Sequence, residues 1–134
     1  MGTKVTIDNL ASEVKKILDD YALEIDLGVA NETELTAKMG ARALNSSSKG
    51  IVRSRRRKSK SPRYGSSWRV KTERRRLYTN AVIYSGKPGL PHLLEYSHRT
   101  GHGGHYSGRT HILPVEQELV ETFEDGIIKF IQNH

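Results

Sequence analysis

Five of the six histidines fall between His92 and His111, in a stretch that also holds Glu95 and a run of glycines, LPHLLEYSHRTGHGGHYSGRTHILP. Imidazole and carboxylate groups this close in sequence suit zinc or nickel, and Glu95, His98, His102, His105 and His111 are the candidate ligands. A hydrolytic zinc site also needs three fixed ligands, an open position and a nearby base. No residue here is marked as that base, and His102 and His105 sit among Gly and Ser with no rigid element to hold them. The competing expectation is structural. His92, His98 and His111 would form hydrogen bonds that pin the loop to a sheet, His102 and His105 would face solvent, and Glu95 would accept from a backbone amide or a histidine. The residues that mark common enzyme sites are missing from the sequence: a glycine loop between a strand and a helix, a serine elbow, a motif-framed carboxylate pair. The expectation is no enzyme, no catalytic residue, no metal and no cofactor.

A second chemistry lies upstream. The chain has 134 residues and a net charge of +7, yet residues 49–76 carry thirteen basic side chains and one acidic one, while both flanks are mildly acidic. Within that segment Arg53, Arg55, Arg56, Arg57, Lys58, Lys60 and Arg63 form a run able to displace counterions from phosphates and bind nucleic acid without sequence preference. Tyr64, Trp68 and Tyr78 lie near enough to supply stacking surfaces, although a tryptophan at this kind of strand position more often belongs to a core. The run reads equally as a solvated loop kept extended by its own charge, or as a contact for an acidic partner. The chain contains no cysteine, so disulfides, zinc-thiolate sites and thiol catalysis are excluded. No apolar run approaches a membrane span, and MGTKVTIDNL lacks the apolar centre of a signal peptide, so a soluble protein used inside a cell is expected.

The elements that must position these groups follow from periodicity. A helix is expected from Thr6 or Asp8, with Ile7, Leu10, Val14, Ile17, Tyr21 and Ile25 on one face. Gly28 and the polar stretch 31–33 weaken the pattern before Leu35, Met39 and Ala43 resume it, giving one long helix or two consecutive ones to about Leu44. Residues 45–63 are rich in Ser, Lys and Arg, the composition of a disordered arm. From Ser67 the alternation of Trp68, Val70 and Thr72 with charged residues predicts a strand, followed by a second over Leu77–Tyr84, the two joined through Arg74–Arg76. Ser85–Gly89 is a turn, Leu90–Tyr96 a short helix or bend, and His111–Leu113 a strand stopped by Pro114. Pro114 and Glu116 then suit the first turn of a final helix whose stripe is Val115, Leu119, Val120, Phe123, Ile127, Phe130 and Ile131. The expected fold is α+β, with long N-terminal and C-terminal helices packed on a small antiparallel sheet. It is a single domain over residues 1–134: helical at 1–48, a basic flexible loop at 49–66, sheet and His/Gly loop at 67–113, and a helix at 114–134.

The order of motifs resembles a family of tailed-bacteriophage neck proteins, the minor structural components described as head-tail joining or tail-completion proteins. Ser61, Pro62, Arg63 and Trp68 match its first motif. His92, Leu93, Leu94, Glu95, Tyr96 and His98 match its HLLE(F/Y)GH box, and Gly103, Gly104, Gly108, His111, Ile112, Pro114 and Glu116 match its glycine loop and PHI-P-E run. Ser97 stands where the family has glycine, Thr110 where it has proline, and the basic run Arg53–Lys60 is heavier than the family pattern. The resemblance implies a non-enzymatic subunit of a homo-oligomeric ring between head connector and tail tube. Its expected partners are other neck, connector and tail-tube proteins, and its place is the virion, after assembly in the host cytoplasm. A non-specific DNA contact through the basic run is compatible with that role; no membrane contact is expected.

Overall fold

A computed structural model describes residues 9–51, 63–101 and 103–134. The fold is α+β. Helix α1 spans Leu10–Ser48, a 3-10 turn covers Tyr64–Ser66, and strands β1 (Trp68–Arg75) and β2 (Tyr78–Ser85) follow. After them come helix α2 (Leu90–Glu95), the two-residue strands β3 (His98–Arg99) and β4 (His105–Tyr106), and helix α3 (Leu113–Gln132).

Helix α1 is continuous through Gly28, so the helix-pair alternative does not hold. It also runs past Leu44 to Ser48, within the 1–48 helical region, and takes in Asn45–Ser48, whose composition alone is that of a loop. Gly28 survives inside the helix because a close approach needs it. A Cβ there would overlap the ring of Phe130 from α3, and one at Gly40 would lie 2.5 Å from Leu119 and 2.6 Å from Ile83. Packing against a helix and a strand offsets the helix-propensity penalty of glycine. The contacts Gly28 to Phe130, Glu32 to Gly126 and Gly40 to Leu119 run in opposite chain directions, so α1 and α3 are antiparallel.

The buried face of α1 differs from the expected one. Leu35 and Met39 are exposed, and the positions that go under are Gly28, Ala30, Ala37, Gly40, Ala41, Leu44 and Ser48. Small residues are buried because α3 and the hairpin approach the α1 backbone closely, which leaves the larger side chains to either side in water. On α3, Val115, Leu119, Phe123, Ile127 and Phe130 are half-buried, whereas Val120 and Ile131, expected in the same stripe, are exposed.

Strands β1 and β2 pair antiparallel from Trp68↔Ser85 to Arg75↔Tyr78, closed by Arg76 and Leu77. Trp68, Val70, Ala81 and Ile83 share the face toward α1, while Arg69, Lys71, Tyr84 and Val82 share the outer face. Leu77 has φ 58°, the left-handed region where Gly or Asn is usual, and it is exposed. The expected strand over His111–Leu113 is absent. Those residues enter α3 directly, with Leu113 its first residue and Pro114 in its first turn, because their amide hydrogens have a different acceptor, described below.

Candidate functional site

Three of the singled-out residues, Trp68, Glu95 and His111, meet in one buried knot where four segments come together. Glu95, at the end of α2, is nearly inaccessible to solvent. Its Oε2 accepts hydrogen bonds from the amides of His111 (3.0 Å) and Ile112 (2.9 Å), and its Oε1 from that of Leu113 (3.3 Å). These are donors at the entrance to α3, so a carboxylate from a neighbouring element caps that helix where no local side chain does. Burial pushes the Glu95 carboxyl pKa up, but the three amides and the His111 ring together outweigh it, and the net position is below the ordinary carboxylate value.

His111 is the second centre of the knot. Its Nδ1 lies 2.7 Å from the Arg109 carbonyl and 3.1 Å from Glu95 Oε2, and its Nε2 lies 2.7 Å from the Tyr64 hydroxyl. A carbonyl can only accept, so Nδ1 carries a proton and donates to Arg109, and Nε2 is hydrogen-bonded to the Tyr64 hydroxyl. Burial, joined by the negative charge of Glu95 and by Tyr106, pushes the Tyr64 hydroxyl above its ordinary value, with Ser48 acting the other way. The Tyr64 ring meets the His111 ring edge-on at 5.6 Å and the Trp68 ring at 6.1 Å. Trp68 Nε1 donates to the Ser48 hydroxyl at 2.9 Å, and the Trp68 amide donates to the Asn45 side chain at 3.1 Å. The Ser47 hydroxyl reaches the His111 carbonyl at 3.1 Å. A Cβ on Gly108 would lie 2.5 to 2.7 Å from the backbone of Glu95, Tyr96 and Ser97, so only glycine fits that crossing.

Trp68, Glu95 and His111 therefore belong to one structural unit, and Tyr64, Asn45, Ser48 and Gly108 complete it, while Pro114 is exposed in the first turn of α3. Tyr64 and Trp68 are buried here and offer no stacking face to a base, unlike Tyr78, which is exposed. Asn45 and Ser48 have the composition of a loop, and their role as acceptors follows from the end of α1 meeting Trp68.

Other candidate residues lie elsewhere. Of the three histidines expected to form pinning hydrogen bonds, only His111 does so, and its partners are Tyr64 and Arg109 rather than the sheet. His92 is exposed and lies against Tyr96, with ring centroids 5.0 Å apart. His98 pairs with Tyr106 across β3 and β4, rings 5.2 Å apart, and its Nδ1 is buried with no hydrogen-bond partner. Hydrophobic and ring contacts hold it instead. His105 is exposed, Gly103 (φ 81°) and Gly104 form the tip between β3 and β4, and Glu116 is exposed in the first turn of α3. Arg63 is exposed; Arg53, Arg55, Arg56, Arg57, Lys58, Lys60, Pro62 and His102 lie outside the described residues.

Chemically, the knot can fix geometry but has little room to react. Both Glu95 oxygens are engaged by amides, and both His111 nitrogens are engaged as well. Among the described residues no group of three or more His, Asp or Glu side chains is placed to hold a metal ion. Nor is any helix among them long and apolar enough to cross a membrane. No protein-family model, curated protein or solved structure matches the chain.

Proposed function

We propose that this chain is a structural subunit of the tailed-phage neck, acting in head-tail joining or tail completion as one protomer of a ring between head connector and tail tube. The observation that carries the reading is an apolar surface left without an intrachain partner. Helix α1 runs beyond the end of α3, and Leu10, Val14, Ile17, Leu18 and Tyr21 on its projecting half are each about half exposed or more. No residue of α3 is fully buried, and the buried apolar set among the described residues is Ala30, Ala37, Ala41, Leu44, Tyr64, Trp68 and Leu94. So small a core beside so much exposed apolar surface suits a protomer completed by its neighbours. The motif residues Trp68, Glu95, Gly108 and His111 support the same role, because they are spent on rigidity at the knot rather than on an open reactive centre. In this reading the chain is not an enzyme and needs no cofactor. It works in the virion after assembly in the host cytoplasm, and any DNA contact is an accessory of the basic run.

The test is light-scattering mass and negative-stain microscopy on the purified protein, alone and mixed with phage tails that lack it. Rings, or particles bound at tail ends, are the expected result. A monomer that ignores tails and binds DNA tightly at low salt would replace this reading with a nucleic-acid-binding module built on residues 53–63. Deleting residues 53–60 would then abolish retention on a DNA column.

A further inference from the structure

The projecting half of α1 and the outer face of the β1–β2 hairpin are both unpartnered within the chain, and their chemistry is complementary. At about 100° per residue, Leu10, Val14, Ile17, Leu18 and Tyr21 form one apolar stripe, and Glu13, Asp20 and Glu24 fall along one edge of it. The other edge is locally neutralised by the Lys15–Asp19 pair at 3.2 Å, and Glu24 also lies 3.7 Å from His134. The hairpin presents the reverse pattern. Its outer face pairs Arg69 with Tyr84, Lys71 with Val82 and Arg75 with Tyr78, so a basic row flanks an apolar row of exposed side chains. Glu73 is the acidic exception and is held by Arg75 at 2.7 Å. The dimensions agree: residues 10–23 of a helix rise about 21 Å, and an eight-residue strand spans about 27 Å.

We infer that the acidic, apolar-striped projection of α1 from one copy docks on the basic, apolar outer face of the β1–β2 hairpin of the next copy. Tyr21 and Ile17 cover Tyr84 and Val82, Leu10 reaches toward Tyr78, and Asp20 and Glu13 lie along the side of Arg69 and Lys71. Because two different surfaces meet, the contact is heterologous, and repeated copies make a closed ring if the rotation per subunit fits. A helix-to-helix pairing of two copies would bring like acidic edges together and leave the basic hairpin uncovered. Leu77, at φ 58° in the hairpin turn, adds one more exposed apolar side chain at the tip of the hairpin.

This inference rests on the reading that copies of the chain associate, and the test separates the two. Two variants of the full chain are made, E13K/D20K on the helix and R69E/K71E on the hairpin, and mass is measured by sedimentation across a concentration series, in solution and on tails. Each variant alone is expected to lose assembly by at least ten-fold in concentration. Combining all four changes in one chain restores it, and so does mixing the two variants in equal amounts, since every helix then meets a hairpin of opposite charge. The natural absence of cysteine allows a direct check, in which I17C mixed with V82C forms a disulfide-linked dimer. Assembly of R69E/K71E equal to wild type would overturn this contact while leaving the ring reading standing. So would loss of DNA retention without change of mass, which would assign the hairpin to nucleic acid. A wild type that stays monomeric in solution and on tails would overturn both.

Discussion

The knot around Glu95 and the projecting half of α1 represent opposite ways of treating a surface. In the knot, a buried carboxylate, a histidine, a tyrosine and a tryptophan each find their hydrogen-bond partners within the chain, and α1, the 3-10 turn, α2 and the entrance to α3 are tied at one point. In the projection, five large apolar side chains stand about half in water, and covering what remains exposed on each would contribute about 1 kcal/mol. The contrast teaches where each part of the molecule gets its stability. The knot is completed by folding, and in the proposed ring the projection is what a neighbouring copy would complete. Substitutions in the two regions should therefore be separable, one set moving the unfolding midpoint and the other moving the mass.

The largest expected effect is on the knot. Glu95→Ala leaves the three amides at the entrance to α3 without their acceptor, and should lower unfolding stability by about 3 kcal/mol, measured by urea denaturation of the R69E/K71E background. Glu95→Gln should recover part of that loss, since an amide oxygen still accepts. The pH dependence follows from the depressed Glu95 carboxyl. A folded-state value below the unfolded 4.5 contributes stability that is fully present above that value and lost as pH falls through the folded one. Stability of the parent should therefore decline below about pH 4.5, and Glu95→Gln should flatten that decline. An acid limb of unchanged slope would show that Glu95 is not the titrating group. None of these changes should disturb the charge complementarity at the hairpin.

A smaller effect is expected where backbone meets backbone. Gly108→Ala places a methyl group 2.5 to 2.7 Å from the chain at Glu95, Tyr96 and Ser97, atoms that cannot swing aside as a flexible side chain does. Overpacking of this kind costs about 2 kcal/mol. A loss well under 0.5 kcal/mol would mean that the crossing relaxes freely and that the knot is less rigid than its hydrogen bonds suggest.

How much of this was legible in the sequence differs between the same two regions. The hairpin is readable because Trp68, Val70 and Thr72 alternate with charged residues, and alternation has one structural meaning. Its turn is displaced from the expected Arg74–Arg76 to Arg76 and Leu77, because a leucine gives no turn signal. Glu95 is readable as an acceptor, but its partners are not. The amides of residues 111–113 are capped from α2, and nothing local distinguishes that arrangement from a strand stopped by proline. On α1 the strong apolar stripe from Leu10 to Tyr21 suggests a buried face. The intrachain partner instead selects Gly28, Ala37, Gly40 and Ala41, since helix packing here is governed by closeness of approach rather than by side-chain bulk. Hydropathy marks what could be buried, and only the fold shows which of it stays exposed.

The smallest expected effect sharpens the comparison most, because its two signs oppose each other. Leu77 closes the β1–β2 hairpin at φ 58°, a conformation that costs a non-glycine residue about 1 kcal/mol. Glycine removes that strain but returns about half of the gain as entropy of the unfolded chain. Leu77→Gly should thus raise the stability of the R69E/K71E background by about 0.5 kcal/mol, read as a small upward shift in urea midpoint. In the otherwise unchanged chain it removes an exposed apolar group from the hairpin tip, and the concentration needed for assembly should rise about two- to five-fold. A residue whose replacement improves folding and weakens association is retained for the association. If Leu77→Gly raises stability and leaves assembly untouched, the docking surface stops short of the tip. If it lowers stability, Leu77 serves the fold and the strained turn has no bearing on the contact between copies.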